Sequence, residues 1–263
     1  MALAIIINSK YPPDKISHND TFLVISWILI LIGLVLGAFA LASNKFPEKK
    51  CTYRTIIAGI AVLLSFLLAT YYTNMNMLRA DGFSKVGARY SKDAGDYLRL
   101  FGDLRAAYKT RMDAIPFFQK ALKFSPNQRA YLNDCGQNFL ELARYGHYDI
   151  QMRQRNDQVI KPPTIDEIIN SDITLYNNLS PRDFTLYSLA CTYRAYQLDP
   201  QNVKRLLALV SVNVFWGGYL DKNTDLLNYS MELCRQAEKL SPGNPKIQEE
   251  TKNILELMTK IKK

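Results

Sequence analysis

Two stretches near the start of the chain carry no charge. The first is TFLVISWILILIGLVLGAFALASN at 21–44, and the second runs from 55 to 78 and contains TIIAGIAVLLSFLLATYY. At about 1.5 Å per helical residue, 24 residues cover the roughly 30 Å hydrocarbon core of a bilayer. A buried core helix of that length would show a polar stripe, and 21–44 has none. The second stretch ends its apolar part in Tyr71 and Tyr72, aromatics suited to a membrane–water boundary. The pattern predicts an N-terminal segment at 1–20, then a transmembrane hairpin at 21–78 with spans at 21–44 and about 55–75. Beyond 78 no strand-like alternation of any length occurs, and apolar residues return every three or four positions, as at Leu98, Phe101 and Tyr108. The remainder, 79–263, is predicted to be all-α.

That helical part repeats itself. Leu98 and Leu132 stand 34 residues apart, as do Gly102 and Gly136. Gly218, Ala237 and Pro242 have the separations of Gly102, Ala121 and Pro126. Such spacing suits packed helix pairs. Gly102 or Gly136 lets a second helix lie close, Ala114 and Ala121 form a small stripe with Phe118 between, and Pro126 stops the helix. In these positions residues 95–128 resemble a tetratricopeptide (TPR) repeat. The resemblance implies an α-solenoid of helical hairpins following the two membrane helices. The next repeat opens with Leu132, Gly136 and Phe139, but Arg155 stands where a small residue is due, so its second helix is displaced. The polar stretch 147–163 reads as an insertion. A fresh helix is expected from Thr164, which forms a capping box with Glu167 and carries Ile165, Ile168, Ile169 and Ile173 on one side. Further helices are expected at 183–198, 201–219, 224–240 and 245–261.

Composition alters this picture little. The 263 residues are 48% hydrophobic and 22% charged, which excludes a disordered chain. Of the formal charge of +9, the part after 78 holds 27 basic and 21 acidic residues without a basic block, a pattern that argues against nucleic acid and allows contact with anionic lipid. Cys51, Cys135, Cys191 and Cys234 form no CxxC pair and only His18 and His147 are present, so no metal site is expected, and the last three cysteines read as small apolar filler. Phosphate-binding loops, HExxH and GxSxG are absent, and neither a catalytic residue nor a cofactor is assigned. His147 reads as a surface residue, and Trp216 with Phe215 as part of a core stripe.

In the spans, Gly33 and Gly37, and then Ala61, Ser65 and Ala69, recur at four-residue intervals that let helix backbones approach closely in lipid. They serve either a partner subunit or packing of the two spans on each other. Lys45, Lys49, Lys50 and Arg54 in the connecting loop place it in the cytoplasm and the helical domain outside, against an opposing signal from Arg79, Lys85, Arg89 and Lys92.

A TPR array, as the resemblance implies, binds partners along the face formed by the first helix of each pair. On this chain that face would carry Asp96, Arg99, Asp103 and Ala107, then Ala130, Asn133, Gln137 and Glu141, a mixed polar groove. Arg99 and Asp103 are alternatively a simple intrahelical pair. Asp103 stands where a carboxylate-binding amide is preferred, which argues against recognition of a C-terminal carboxylate. The stretches TNMNMLRADGFSKVGARY, AIPFFQKALKFSPN, PRDFTLYSLACTYRAYQL and CRQAEKLSPGNPKI also resemble the C-terminal region of the O-antigen ligase/polymerase family, over most of 55–263. That family's glycosyl-transfer chemistry belongs to a large membrane bundle that has no counterpart here. The expected function is therefore a membrane-anchored scaffold or adaptor for protein partners. The alternative is an accessory subunit of cell-surface glycan machinery, with a glycan or glycosyltransferase as partner.

Overall fold

The computed structural model describes residues 53–261. It divides into two units, Met1–Arg79 and Ala80–Lys263. Helix α1, Tyr53–Phe101, begins in the first unit and ends in the second. Within the first unit its described side chains between 59 and 71 are all exposed, Leu63, Leu64, Phe66, Leu67 and Leu68 among them. Among the described residues no helix is long and apolar enough to cross a membrane. Gly33 and Gly37, and the whole expected span at 21–44, lie outside the described residues. So do the side chains of Ala61 and Ala69, while Ser65 is exposed.

Every regular element described in the second unit is a helix. After the last turns of α1 come α2 (Leu104–Phe124), α3 (Arg129–Tyr148), and the short helices α4 (Ile150–Arg153), α5 (Ile165–Asn170) and α6 (Ile173–Tyr176). Then follow α7 (Pro181–Leu198), α8 (Val203–Phe215), α9 (Thr224–Leu240) and α10 (Pro245–Ile261). The helices at 224–240 and 245–261 have the limits their apolar periodicity predicts, and the Thr164–Glu167 capping box forms. That fresh helix is shorter than expected. It ends at Asn170, buries Ile168 and leaves Ile173 exposed on α6.

Three corners share one geometry. Ser125, Asp199 and Ser241 each end a helix with φ between −145° and −157° and ψ between 72° and 77°. Each precedes a proline (Pro126, Pro200, Pro242) that cannot continue the helix. Each carbonyl then accepts from the backbone N–H three residues on, of Gln128, Asn202 and Asn244 at 3.2, 3.3 and 3.4 Å, and the next helix starts there. Four residues before each corner stand Ala121, Ala195 and Ala237, and seven before those Ala114, Ser188 and Ser230, all wholly buried. The helices that carry this small stripe, α2, α7 and α9, are the second members of successive pairs. Helices α1, α3, α8 and α10 are the first members, α10 closing the series. The displaced second helix of the middle pair is thus α7, reached only after the segment 149–180.

Gly136 performs the role its spacing suggests. A Cβ there would lie 2.7 Å from Thr192 Cγ2 and 3.2 Å from Cys191 Cβ, and the Ser188 hydroxyl donates to the Gly136 carbonyl at 2.7 Å. Side-chain-free backbone therefore sets the separation of α3 and α7. Gly102 does something else. Its φ is +64°, nothing lies within 4 Å of the place a Cβ would take, and its N–H donates to Leu98 O at 3.0 Å. It is the left-handed residue that terminates α1, not a packing glycine. The hairpin corner consequently falls at 102–103, and Leu98 and Phe101 are exposed instead of buried.

The inserted segment closes over α2 and α7. Gln119 Nε2 donates to Ile168 O at 2.8 Å and Ser171 O at 3.0 Å. The wholly buried Tyr176 packs against Phe139 and Tyr187 with ring centroids 5.6 and 5.3 Å apart. Asp183, 0% exposed, accepts from the backbone N–H groups of Gln158, Val159 and Ser180 at 2.8–3.1 Å and so fastens the loop to the start of α7. Cys135, Cys191 and Cys234 are buried filler, as expected.

Candidate functional site

The first helices adjoin one another in order. Ser91 on α1 donates to Asn138 Oδ1 on α3 at 2.9 Å, and α3 touches α8, which touches α10. On the face they form, a cavity of about 150 Å³ is lined by Arg144 and Tyr148 from α3, Ser211 from α8, Tyr219 beyond it, and Glu250 and Asn253 from α10. Each of three successive first helices thus contributes polar or aromatic groups to one opening.

Local backbone chemistry aims these groups. Helix α8 widens at its end into a single π-turn, Trp216–Leu220, in which the Asp221 N–H reaches back to Trp216 O at 3.0 Å. Such bulges re-aim the side chains that follow them. The bulge is accommodated because Gly217 lies where a Cβ would be 2.8 Å from Leu226 Cβ. Trp216, half-buried and not fully in the core, donates from Nε1 to Asp221 Oδ2 at 2.6 Å, and Arg182 pairs with the same carboxylate at 3.2 Å. Tyr219 stacks on the buried Phe215 with centroids 5.8 Å apart and keeps 43% of its surface exposed; Tyr148 keeps 67%.

His147 sits behind this rim. Its ring meets those of Tyr148, Phe215 and Tyr219 edge to face at 5.8–6.4 Å, and its buried Nδ1 has no hydrogen-bond partner. It is half-buried, packed on one side against these rings, where its polar surroundings in sequence suggest a surface residue. Burial, and secondarily the charge of Arg153, hold its pKa below the ordinary imidazole value.

The charges at the opening are unequal. Arg144 Nη1 lies 2.7 Å from Glu141 Oε1, so its charge is answered on its own helix. Half-buried Glu250 has no ion-pair partner among the described residues and accepts only a long hydrogen bond from Ser211 Oγ, 3.4 Å. Among the described residues no three His, Cys, Asp or Glu side chains gather to hold a metal ion.

The six groove residues expected from sequence are not joined into one site by any hydrogen bond or ion pair among the described residues. Asp96 and Arg99 pair with each other at 2.9 Å near the end of α1. Asp103 is not Arg99's partner; it caps α2 by accepting from the Ala106 N–H at 2.9 Å. Ala107 is wholly buried and belongs to the core. Asn133, Gln137 and Glu141 lie on α3, with Asn133 Oδ1 buried and unpartnered, and only Glu141 reaches the pocket, through Arg144. Sequence reading missed Tyr148, Tyr219 and Glu250, whose positions are brought together only by stacking. The two adjacent glycines after Phe215–Trp216 were the one local signal.

No protein-family profile matches the chain, and no curated protein matches it.

Proposed function

We propose that the chain is a membrane-anchored, tetratricopeptide-like scaffold that holds a protein partner non-covalently against the first-helix face of its stack. The single observation that carries this reading is the pocket built by α3, α8 and α10, because a stack of paired helices brings those three segments to one opening. The thrice-repeated corner with its small stripe supports the repeat architecture. The uncharged run 55–78, with its exposed leucines and Phe66, supports the anchor. In this reading the helical domain lies on the extracytoplasmic side.

The test is site-specific photo-crosslinking in cells, with a benzophenone amino acid at Tyr148 or Tyr219 and, as control, at Tyr193, which is exposed on α7. A discrete adduct from the first two positions and none from the third is expected. Equal adducts from all three, or none, would refute the groove. Capture of a glycosyltransferase would instead favour an accessory role in cell-surface glycan assembly. Retention of the chain in vesicles after alkaline carbonate is the matching test of the anchor.

A further inference from the structure

We infer that the pocket between α3, α8 and α10 takes one basic side chain of the partner, a guanidinium or ammonium group, seated between Tyr148 and Tyr219 with its charge on Glu250. The inference deepens the scaffold reading and rests on it.

Size comes first. Small-molecule sites commonly occupy about 300–1,000 Å³, whereas this opening holds about 150 Å³. It has room for one side chain, not for an oligosaccharide or a nucleotide. Charge comes next. Arg144, the one cation of the lining, is matched by Glu141 from outside it at 2.7 Å, so the carboxylate of Glu250 is the lining charge left without an ion-pair partner among the described residues. A half-buried carboxylate whose one hydrogen bond among the described residues is a 3.4 Å contact from Ser211 gains most from a cation that also donates hydrogen bonds. Shape comes last. Tyr148 and Tyr219 expose ring surface at the rim, and aromatic faces attract ammonium and guanidinium groups. Asn253 and Ser211 add acceptor oxygens for the remaining N–H groups. An anion would meet an arginine already engaged and a carboxylate that repels it.

The experiment uses the full chain in mild detergent and ligand-observed NMR with four probes: the N-acetyl methylamides of arginine, citrulline, norleucine and glutamate. Citrulline keeps the shape of arginine without its charge. Saturable binding of the arginine probe, at least tenfold tighter than the other three, is expected. Glu250→Gln should reduce that preference tenfold or more, and Tyr219→Leu should weaken binding several-fold, both with unchanged helix content by circular dichroism. Should either variant lose helix content, the wild-type ranking of the four probes decides. Equal binding of arginine and citrulline, preference for the glutamate probe, or an unaffected Glu250→Gln would overturn the inference. If the crosslinks from Tyr148 and Tyr219 persist while the arginine probe fails, only this inference falls; if the crosslinks fail, the scaffold reading falls with it.

Discussion

Replacing Gly136 by alanine tests the contact on which the middle of the stack depends. The new methyl group would stand 2.7 Å from Thr192 Cγ2, 3.2 Å from Cys191 Cβ and 3.3 Å from the Ser188 carbonyl oxygen. Thr192 cannot simply swing aside, because its hydroxyl donates to Ser188 O at 2.8 Å. Nor can the backbone of α7 retreat freely, because the Ser188 hydroxyl holds Gly136 O at 2.7 Å. Overpacking of this kind costs about 1–3 kcal/mol. Alanine regains about 0.8–1 kcal/mol of helix propensity over glycine. The net expectation is a loss of about 1 kcal/mol, which at this size lowers Tm by roughly 2–4 °C. Thr192→Ser removes the nearest methyl and keeps the hydroxyl, so the double variant should recover part of the loss, with a coupling of about 0.5 kcal/mol or more. Urea melts of the full chain in mild detergent, followed at 222 nm, measure both. A stabilised Gly136→Ala with no coupling to Thr192 would show that the two helices are not in this contact.

Gly102→Ala should cost about 1–2 kcal/mol by forcing a left-handed φ on a residue with a Cβ, while Gly102→Asn costs clearly less; equal melting of the two would remove Gly102 from the terminating position. Asp183→Ala deprives three backbone N–H groups of their acceptor and should destabilise by about 3 kcal/mol, with faster hydrogen exchange at the Gln158 and Val159 amides and unchanged exchange in α9. His147 has a folded-state pKa below its unfolded value of about 6.5, so the folded chain binds fewer protons there, and stability falls as the pH drops below that value. His147→Gln should flatten this part of a urea-midpoint profile between pH 5 and 8; an unchanged slope would assign it elsewhere.

Local chemistry made the corners readable from sequence. Pro126, Pro200 and Pro242 punctuate the helices wherever they occur, and Ala121 and Ala237 sit at a fixed distance before two of them. The limits of α9 and α10 follow from the same logic. Gly102 misled because a glycine suits both a close helix contact and a left-handed stop, and its 34-residue distance from Gly136 does not separate the two. Once it is a stop, α1 ends at Phe101 and the face expected to carry Asp96, Arg99, Asp103 and Ala107 dissolves into an ion pair, a cap and a core residue. The pocket was hidden for a different reason. Tyr148 and Glu250 are about a hundred residues apart in sequence, and the segment 149–180 breaks the period that would have aligned their helices.

The way Asp183 grips the loop before α5 has a consequence for which sequences that loop tolerates. The carboxylate holds main-chain amides of Gln158 and Val159 and none of their side chains. For the tether alone any residue that offers an N–H would serve at those two positions, and proline is barred, since it has none; the side chains have separate contacts, Gln158 Nε2 donating to Asn178 O at 3.3 Å and Val159 packing against the core. The anchorage thus reads main chain only, and whatever constrains composition there comes from the Gln158 hydrogen bond and the Val159 packing, so a change at either can loosen the loop's fit while its anchorage endures.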